Sequence, residues 1–404
     1  MNKPLIIIFA TIALDAVGLG LIFPILPRLI AEVTQGDAIA PTIGIMAALY
    51  AAMQFLFAPM LGALSDSLGR RPVLLVSLAG AAINYVVMAV APQLWMLLLG
   101  RALAGLTSAN VSVAMAYITD ISPPEKRARR FGLFNAMFGI GFIIGPVLGG
   151  VLGDYGVRLP FIAAAVLNAG NLLLALFILP ESRKGDGHRV HLGMFNPLRS
   201  LRWAFTMKSV LPVVLLFFAL SATGEAYGTC WALWGGDVFH WNGLWIGLSL
   251  GLFGACQAVI QALLPSPATR LLGDRWAVLA GIACNCAALV VIAFTGLGWV
   301  VFLVMPAFAL GGIGTPALQS LSTRLVAPSD QGRLQGVLAS AVSLASIVAP
   351  LVFSTFYMIV RAQWPGAIWL AVVAVYGIVV PLVFLVTRTA GVGCTTVPEA
   401  DSCR

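Results

Sequence analysis

Three charged side chains stand inside long apolar runs. Asp15 lies in Leu14-Asp15-Ala16-Val17-Gly18-Leu19-Gly20-Leu21, Arg101 in Gly100-Arg101-Ala102-Leu103-Ala104-Gly105, and Glu225 in Thr223-Gly224-Glu225-Ala226-Tyr227-Gly228. A charge within the hydrocarbon of a bilayer is costly, so it marks an ion pair, a watered path or a proton relay. Asp15 and Arg101 can pair with each other or cap a helix. Together with Glu225 they can also take up and release a proton, which makes these three the candidates for proton coupling. A fourth charged group is the turn Gly62-Ala63-Leu64-Ser65-Asp66-Ser67-Leu68-Gly69-Arg70-Arg71, between the apolar runs 43–61 and 72–91. Its Asp66 can accept hydrogen bonds from a neighbouring helix N-terminus, while Arg70 and Arg71 stay at the membrane interface.

The elements that carry these residues follow from composition. Of 404 residues, 60% are hydrophobic and 9% are charged, against about 25% charged in soluble domains. Mean hydropathy is +0.99. Runs of about 20 apolar residues span a hydrocarbon core, and in lipid they must be helical because the backbone has no water to bond. Twelve spans are expected: 5–27, 43–63, 72–91, 94–119, 131–153, 160–180, 210–233, 244–264, 276–296, 299–322, 334–358 and 367–387. The fold class is therefore an all-α polytopic membrane protein. The first span is too long for a signal peptide and no small-residue cleavage site follows it, so it reads as a retained helix.

The formal charge of +8 sorts by loop. Every lysine and most arginines fall on one side, including the run Lys126-Arg127-Ala128-Arg129-Arg130. Arg28, Arg158 and Arg361 fall on the other. That asymmetry puts both termini in the cytosol and implies anchoring at an anionic leaflet, with no nucleic-acid partner. Cys230, Cys256, Cys284 and Cys286 lie in apolar runs, where neither a disulfide nor a metal site is expected. His188, His191 and His240 are all in loops. An intramembrane histidine or Ser–His pair is lacking, so enzymatic chemistry is not expected and no metal ligand set or cofactor is assigned.

The longest polar stretch, 181–209, divides the chain into a six-helix half at 1–180 and another at 210–387, with a tail at 388–404. The halves repeat each other. Gly145-Pro146 aligns with Ala349-Pro350, and the turn 62–71 aligns with 266–275 with its charges exchanged. Asp66 then corresponds to Arg270, Arg70 to Asp274, and Asp120 to Arg324. Two helical halves around a midplane site is a transporter architecture. The residues expected to act in gating are Gly62, Asp66, Gly69, Arg70, Arg71, Asp120, Gly145, Pro146, Arg270, Asp274 and Arg324.

The turn 62–71 resembles the G-x-L-(S/A)-D-x-x-G-R-R motif of the major facilitator superfamily. The string Gly141-Phe142-Ile143-Ile144-Gly145-Pro146-Val147-Leu148-Gly149-Gly150 is similar to the signature of its drug:proton antiporters. More closely, Leu14-Asp15-Ala16-Val17-Gly18-Leu19-Gly20 with Pro24 and Pro27 resembles the opening of the tetracycline:proton antiporters. So do Ala48-Leu49-Tyr50-Ala51, Gly69-Arg70-Arg71-Pro72-Val73-Leu74-Leu75, Gly311-Gly312-Ile313-Gly314 and Gln331-Gly332. The resemblance runs from about 5 to 385. It implies a multi-pass bacterial inner-membrane exporter, acting by alternating access and driven by the proton gradient. Its implied partners are protons, the lipid bilayer and a small amphipathic drug, free or as a metal chelate, handled by a monomer. It also gives Asp15, Asp66, Arg70, Arg101 and Asp120 functional roles.

The departures from that family are specific. Asn84 and Asn285 stand where the family carries acids, Gln257 stands where it carries a histidine, and Thr107-Ser108-Ala109-Asn110 replaces a small-residue run. Glu225 replaces a neutral glutamine, as if the charge had moved. These exchanges leave a second reading open: another drug, an endogenous metabolite or an uncoupled facilitator. The expected pocket comprises Met53, Gln54, Asn84, Asn110, Glu225, Tyr227, Trp231, Gln257, Gln261 and Gln319. Amides there offer hydrogen bonds and aromatics offer flat contact area.

Overall fold

A computed structural model describes residues 3–34, 38–182, 210–323, 326 and 330–393. The apolar runs fold as helices that close their own hydrogen bonds. They are α1 (Lys3–Ile22), α2 (Leu26–Thr34), α3 (Ile39–Leu68), α4 (Arg70–Val90), α5 (Leu94–Thr107), α6 (Asn110–Asp120), α7 (Pro124–Tyr155) and α8 (Leu159–Ile178). After them come α9 (Leu211–Phe239), α10 (Gly243–Leu263), α11 (Pro265–Phe294), α12 (Gly298–Ala309), a 3₁₀ turn (Leu310–Gly314), α13 (Thr315–Thr323), α14 (Gln331–Val360) and α15 (Ala367–Gly393). Among the described residues, twelve spans are long and apolar enough to cross a membrane, and there is no strand. Residues 183–209 of the central loop and 394–404 of the tail lie outside the described residues.

Three of the expected spans are not single rods. The first breaks at 23–25, between α1 and α2, where Pro24 has no N–H to continue the helix. The fourth breaks at Ser108 (φ −75°, ψ 87°) and Ala109 (φ −131°, ψ 6°). The tenth tightens into a 3₁₀ turn over Leu310-Gly311-Gly312-Ile313-Gly314, where three glycines weaken the α-helical preference.

The chain forms two compact units. The first is Met1–Phe195, Ala226–Ala255 and Ile347–Pro365; the second is Asn196–Glu225, Cys256–Ser346 and Gly366–Arg404. In the first unit α1 lies along α7 and α8, α3 along α5, and α4 along both α5 and α8. Ile8, Ile12, Leu74, Leu78 and Tyr117 form its apolar core toward the end that bears the 62–71 turn. The glycines of α7 explain the close packing. A Cβ on Gly141, Gly145 or Gly149 would lie 2.5, 2.7 and 2.2 Å from backbone oxygens of α1, and one on Gly150 would lie 2.1 Å from the carbonyl of Gly243. So α7 presents one small-residue face to α1 and another to α10, and a methyl has no room at either. In the second unit α11 packs on the 3₁₀ turn, α12 and α15.

Candidate functional site

The first unit gathers a polar group around the break between α5 and α6. Asp15 is buried on α1 at 5% exposure, and Asn110 Nδ2 donates to its Oδ1 at 2.9 Å. Asn110 can reach because the helix stops at Thr107 and restarts at Asn110 itself. The same break frees the Ser108 hydroxyl, which shares a 2.7 Å hydrogen bond with the Tyr50 hydroxyl and accepts one from Gln54 Nε2 at 2.9 Å. Tyr50 and Gln54 are one turn apart on α3, so they meet Ser108 from the same face.

Arg101 is one helical stretch before the break. Its guanidinium carbon lies 6.0 Å from the Tyr50 ring centroid, and its Nε is buried without a hydrogen-bond partner among the described residues. The pairing of Asp15 with Arg101 considered from sequence does not form: the aspartate's partner is a neutral amide. Asn84 is buried on α4 with its Oδ1 also unpartnered, and it faces α5 at Gly100, where an added Cβ would lie 3.2 Å from that oxygen. Met53 packs against Gly105. Trp231 is buried at 3% exposure, donates from Nε1 to Ser249 Oγ at 2.9 Å, and sits in an aromatic cluster with Tyr227 and Trp234. Its position is core packing, not the open lining expected for it.

In the second unit Ser346 Oγ donates to Glu225 Oε1 at 2.5 Å. Asn285 is buried, donates to the Phe308 carbonyl at 3.3 Å, and keeps an unpartnered Oδ1. Asn285 lies against Gly311, and Gln257 lies against Gly312. Both amides therefore brace the 3₁₀ turn. Gln261 and Gln319 are exposed.

The 62–71 turn is a compact charge cluster. Arg70 is buried at 8% exposure, yet its guanidinium binds Asp120 at 3.0 Å, Asp66 at 2.7 Å and the Ser65 hydroxyl at 3.2 Å. Ser182 Oγ also donates to Asp120, at 3.2 Å. The carboxylate that caps the start of α4 is not Asp66, as expected from sequence, but Glu181. It accepts the backbone N–H of Arg70 at 2.8 Å and that of Arg71 at 3.1 Å. Asp66 is already engaged by Arg70, and its side chain is 62% exposed. Gly69 adopts φ 105°, and a Cβ there would strike the Glu181 carboxylate. The internal repeat is visible in the second unit, where Gly273 takes φ 76° at the matching place. Around it Arg270 is exposed, Asp274 is half-buried, and Arg275 stacks on Phe384 at 4.0 Å. Arg324 lies outside the described residues. Gly62 has open space around it.

Tyr50, Ser108, Glu181 and Ser346 were not anticipated as site residues. Tyr50 had a signal in its one-turn spacing from Gln54. Ser346 had none, because its partner is far along the chain.

The family profile described as Major Facilitator Superfamily matches residues 8–255. The chain is 47% identical to the class C tetracycline resistance protein of Escherichia coli, over 94% of this chain and 96% of that one. It is 41% identical to the class G tetracycline resistance protein of Vibrio anguillarum, over 95% and 97%. The chain belongs to the major facilitator superfamily, within its group of tetracycline resistance proteins. A crystal structure of the nucleoside transporter NupG superposes with a TM-score of 0.78 at 13% identity, covering 96% of this chain and 99% of that one, which is a likeness of fold. This family member is thus a transporter, and its twelve apolar helices and bacterial relatives make it a multi-pass protein of a bacterial inner membrane. In a family transporter the breaks at 108–109 and 310–314 acquire meaning, since irregular backbone at membrane depth is tolerated where it lines a cavity or is buried in protein.

Proposed function

We propose that this transporter exports tetracycline-type compounds in exchange for protons, by alternating access, with both termini in the cytosol. The reading rests on one observation above the others: Asp15 is buried in an apolar helix with a neutral amide as its hydrogen-bond partner. An ionised carboxylate only accepts hydrogen bonds, and a protonated one also donates. Proton uptake at Asp15 therefore removes a buried charge and reverses the polarity of one oxygen. Asn110 can answer with its amide oxygen, which has no partner in the present arrangement. Ser108, Tyr50 and Gln54 form a hydroxyl–amide string beside it, suited to a ligand rich in oxygen. Glu225 with Ser346 supplies a second acid whose hydroxyl partner can donate or accept. Asp66, Arg70 and Asp120 in the first unit, and the exchanged charges Arg270 and Asp274 at the matching turn of the second, serve as the conformational switch. The energy source is the proton gradient with no cofactor, the cargo is the drug alone or its metal chelate, and the working unit is a monomer.

A second reading, in which the fold is retained and a different compound is carried, would draw on the neutral residues Asn84, Asn285 and Gln257, but relatives named as tetracycline resistance proteins at up to 47% identity favour the first. Asn285 and Gln257 support the first reading in part, because they brace the 3₁₀ turn instead of standing free.

Drug-driven proton movement in inverted membrane vesicles tests both. Tetracycline is expected to release protons from wild type but not from Asp15→Asn. Release driven by another amphipath and not by tetracycline would establish the second reading, and silence with every compound would end the coupled reading.

A further inference from the structure

At the end of the first unit away from the 62–71 turn, one acid joins three elements. Asp154 stands in the last turn of α7. Its Oδ1 accepts the backbone N–H of Gly243 at 2.9 Å and its Oδ2 that of Leu244 at 3.1 Å, the first two residues of α10. Arg28 Nη1, from α2, donates to Oδ1 at 2.9 Å. The carboxylate thus satisfies free donors at a helix N-terminus, where the backbone dipole favours negative charge.

Below this point α7 and α10 meet along a seam of glycines. A Cβ on Gly150 would lie 2.1 Å from the Gly243 carbonyl, one on Gly247 2.2 Å from the Pro146 carbonyl, and one on Gly251 2.8 Å from Val147. Such a seam gains dispersion energy from close approach, and dispersion is not directional. Ile25, fully buried, lies against both Gly153 and Gly243 and fills the space beside the seam.

We propose that Asp154 is a latch, a positioning residue that holds this end of α7 and α10 shut and sets how often it opens during transport. The glycine seam supplies the fit, and Asp154 supplies the polar contact that must be surrendered for the two helices to part. Arg28 is the lesser member, since its side chain is 37% exposed and such ion pairs contribute little. The inference rests on the reading of this chain as an alternating-access carrier.

The test follows opening and not transport. Ile25→Cys is introduced into the full chain in lipid nanodiscs, and maleimide labelling at residue 25 is timed by peptide mass spectrometry. Asp154→Ala and Asp154→Asn are expected to speed labelling about tenfold, the scale of losing a helix cap. Arg28→Gln should speed it about twofold, and Asp154→Glu should restore a rate near wild type. Equal labelling in wild type, Asp154→Asn and Asp154→Ala overturns the latch. If Asp154→Ala fails to accumulate, Asp154→Asn against Asp154→Glu decides alone. Labelling is read without substrate, so a wild type that moves no tetracycline overturns the functional reading while the latch is still judged.

Discussion

Asn110 donates a 2.9 Å hydrogen bond to Asp15 across the interface of α1 and α6, and it does so from the first residue after a helix break. A hydrogen bond to a charged group contributes about 1.5–3 kcal/mol. Removing the donor should therefore alter the acid without removing it. Asp15→Asn is expected to abolish drug-driven proton release, whereas Asn110→Ala should lower it about tenfold at unchanged membrane abundance. Vesicle fluorescence quenching with immunoblotting checks both, and equal activity of Asn110→Ala and wild type would remove Asn110 from the mechanism.

Glu225 and Ser346 pose a similar question in the second unit. The 2.5 Å contact gives the acid a hydroxyl that can donate to it or accept from it. If Glu225 carries a proton, Glu225→Gln should lose coupling by at least about tenfold while substrate binding survives, since an amide conserves shape and polarity but does not titrate. Ser346→Ala should show a smaller loss of the same kind. Equilibrium binding of tetracycline to purified protein, set beside proton movement in vesicles, separates the two effects. Loss of binding and coupling together would assign Glu225 to the ligand and not to the proton.

Glu181 offers a prediction about stability. It caps the first N–H groups of α4, and Gly69 has the positive φ that lets the chain enter the helix there. Loss of a helix cap costs about 1 kcal/mol. Glu181→Ala should lower the thermal unfolding midpoint in detergent, and Gly69→Ala should lower it further, because it adds a left-handed alanine and a clash with the same carboxylate. A Gly69→Ala protein as stable as wild type would show that the turn can be rebuilt without the cap.

The twelve spans were legible because twenty apolar residues leave the backbone few alternatives in lipid. The charged turn was legible because it interrupts two such runs. The helix breaks were not. Pro59, Pro146, Pro306, Pro350 and Pro381 all sit inside unbroken helices, while the break at Ser108-Ala109 has neither proline nor glycine. Local propensity yields there to the contacts of Ser108 with Tyr50 and Gln54 and of Asn110 with Asp15, which only the packed fold supplies. The capping role expected of Asp66 fell to Glu181 for a related reason. Sequence spacing put an acid near the turn, but the tertiary position of the residues following α8 decided which carboxylate reached the N–H groups. The wide separation of Glu225 from Ser346 along the chain hid that pair altogether.

The glycines of α7 are alike in sequence and unlike in place, and this gives the sharpest test of the packing. A Cβ on Gly145 would lie 2.7 Å from the Val17 carbonyl and 2.8 Å from the Gly20 Cα, while one on Gly139 meets nothing within 4 Å. Backbone atoms cannot step aside as a flexible side chain does. Gly145→Ala must either separate α1 from α7 or bend one of them, at a cost of about 1–3 kcal/mol. Gly139→Ala adds a methyl to open space and gains helix propensity of up to about 1 kcal/mol. Gly145→Ala is therefore expected to unfold earlier on heating in detergent and to transport poorly. Gly139→Ala should match or exceed wild-type stability and keep its activity. Equal damage from the two substitutions would mean that α1 does not lie on the Gly145 face, and the placement of Asp15 beside Asn110 would fall with it.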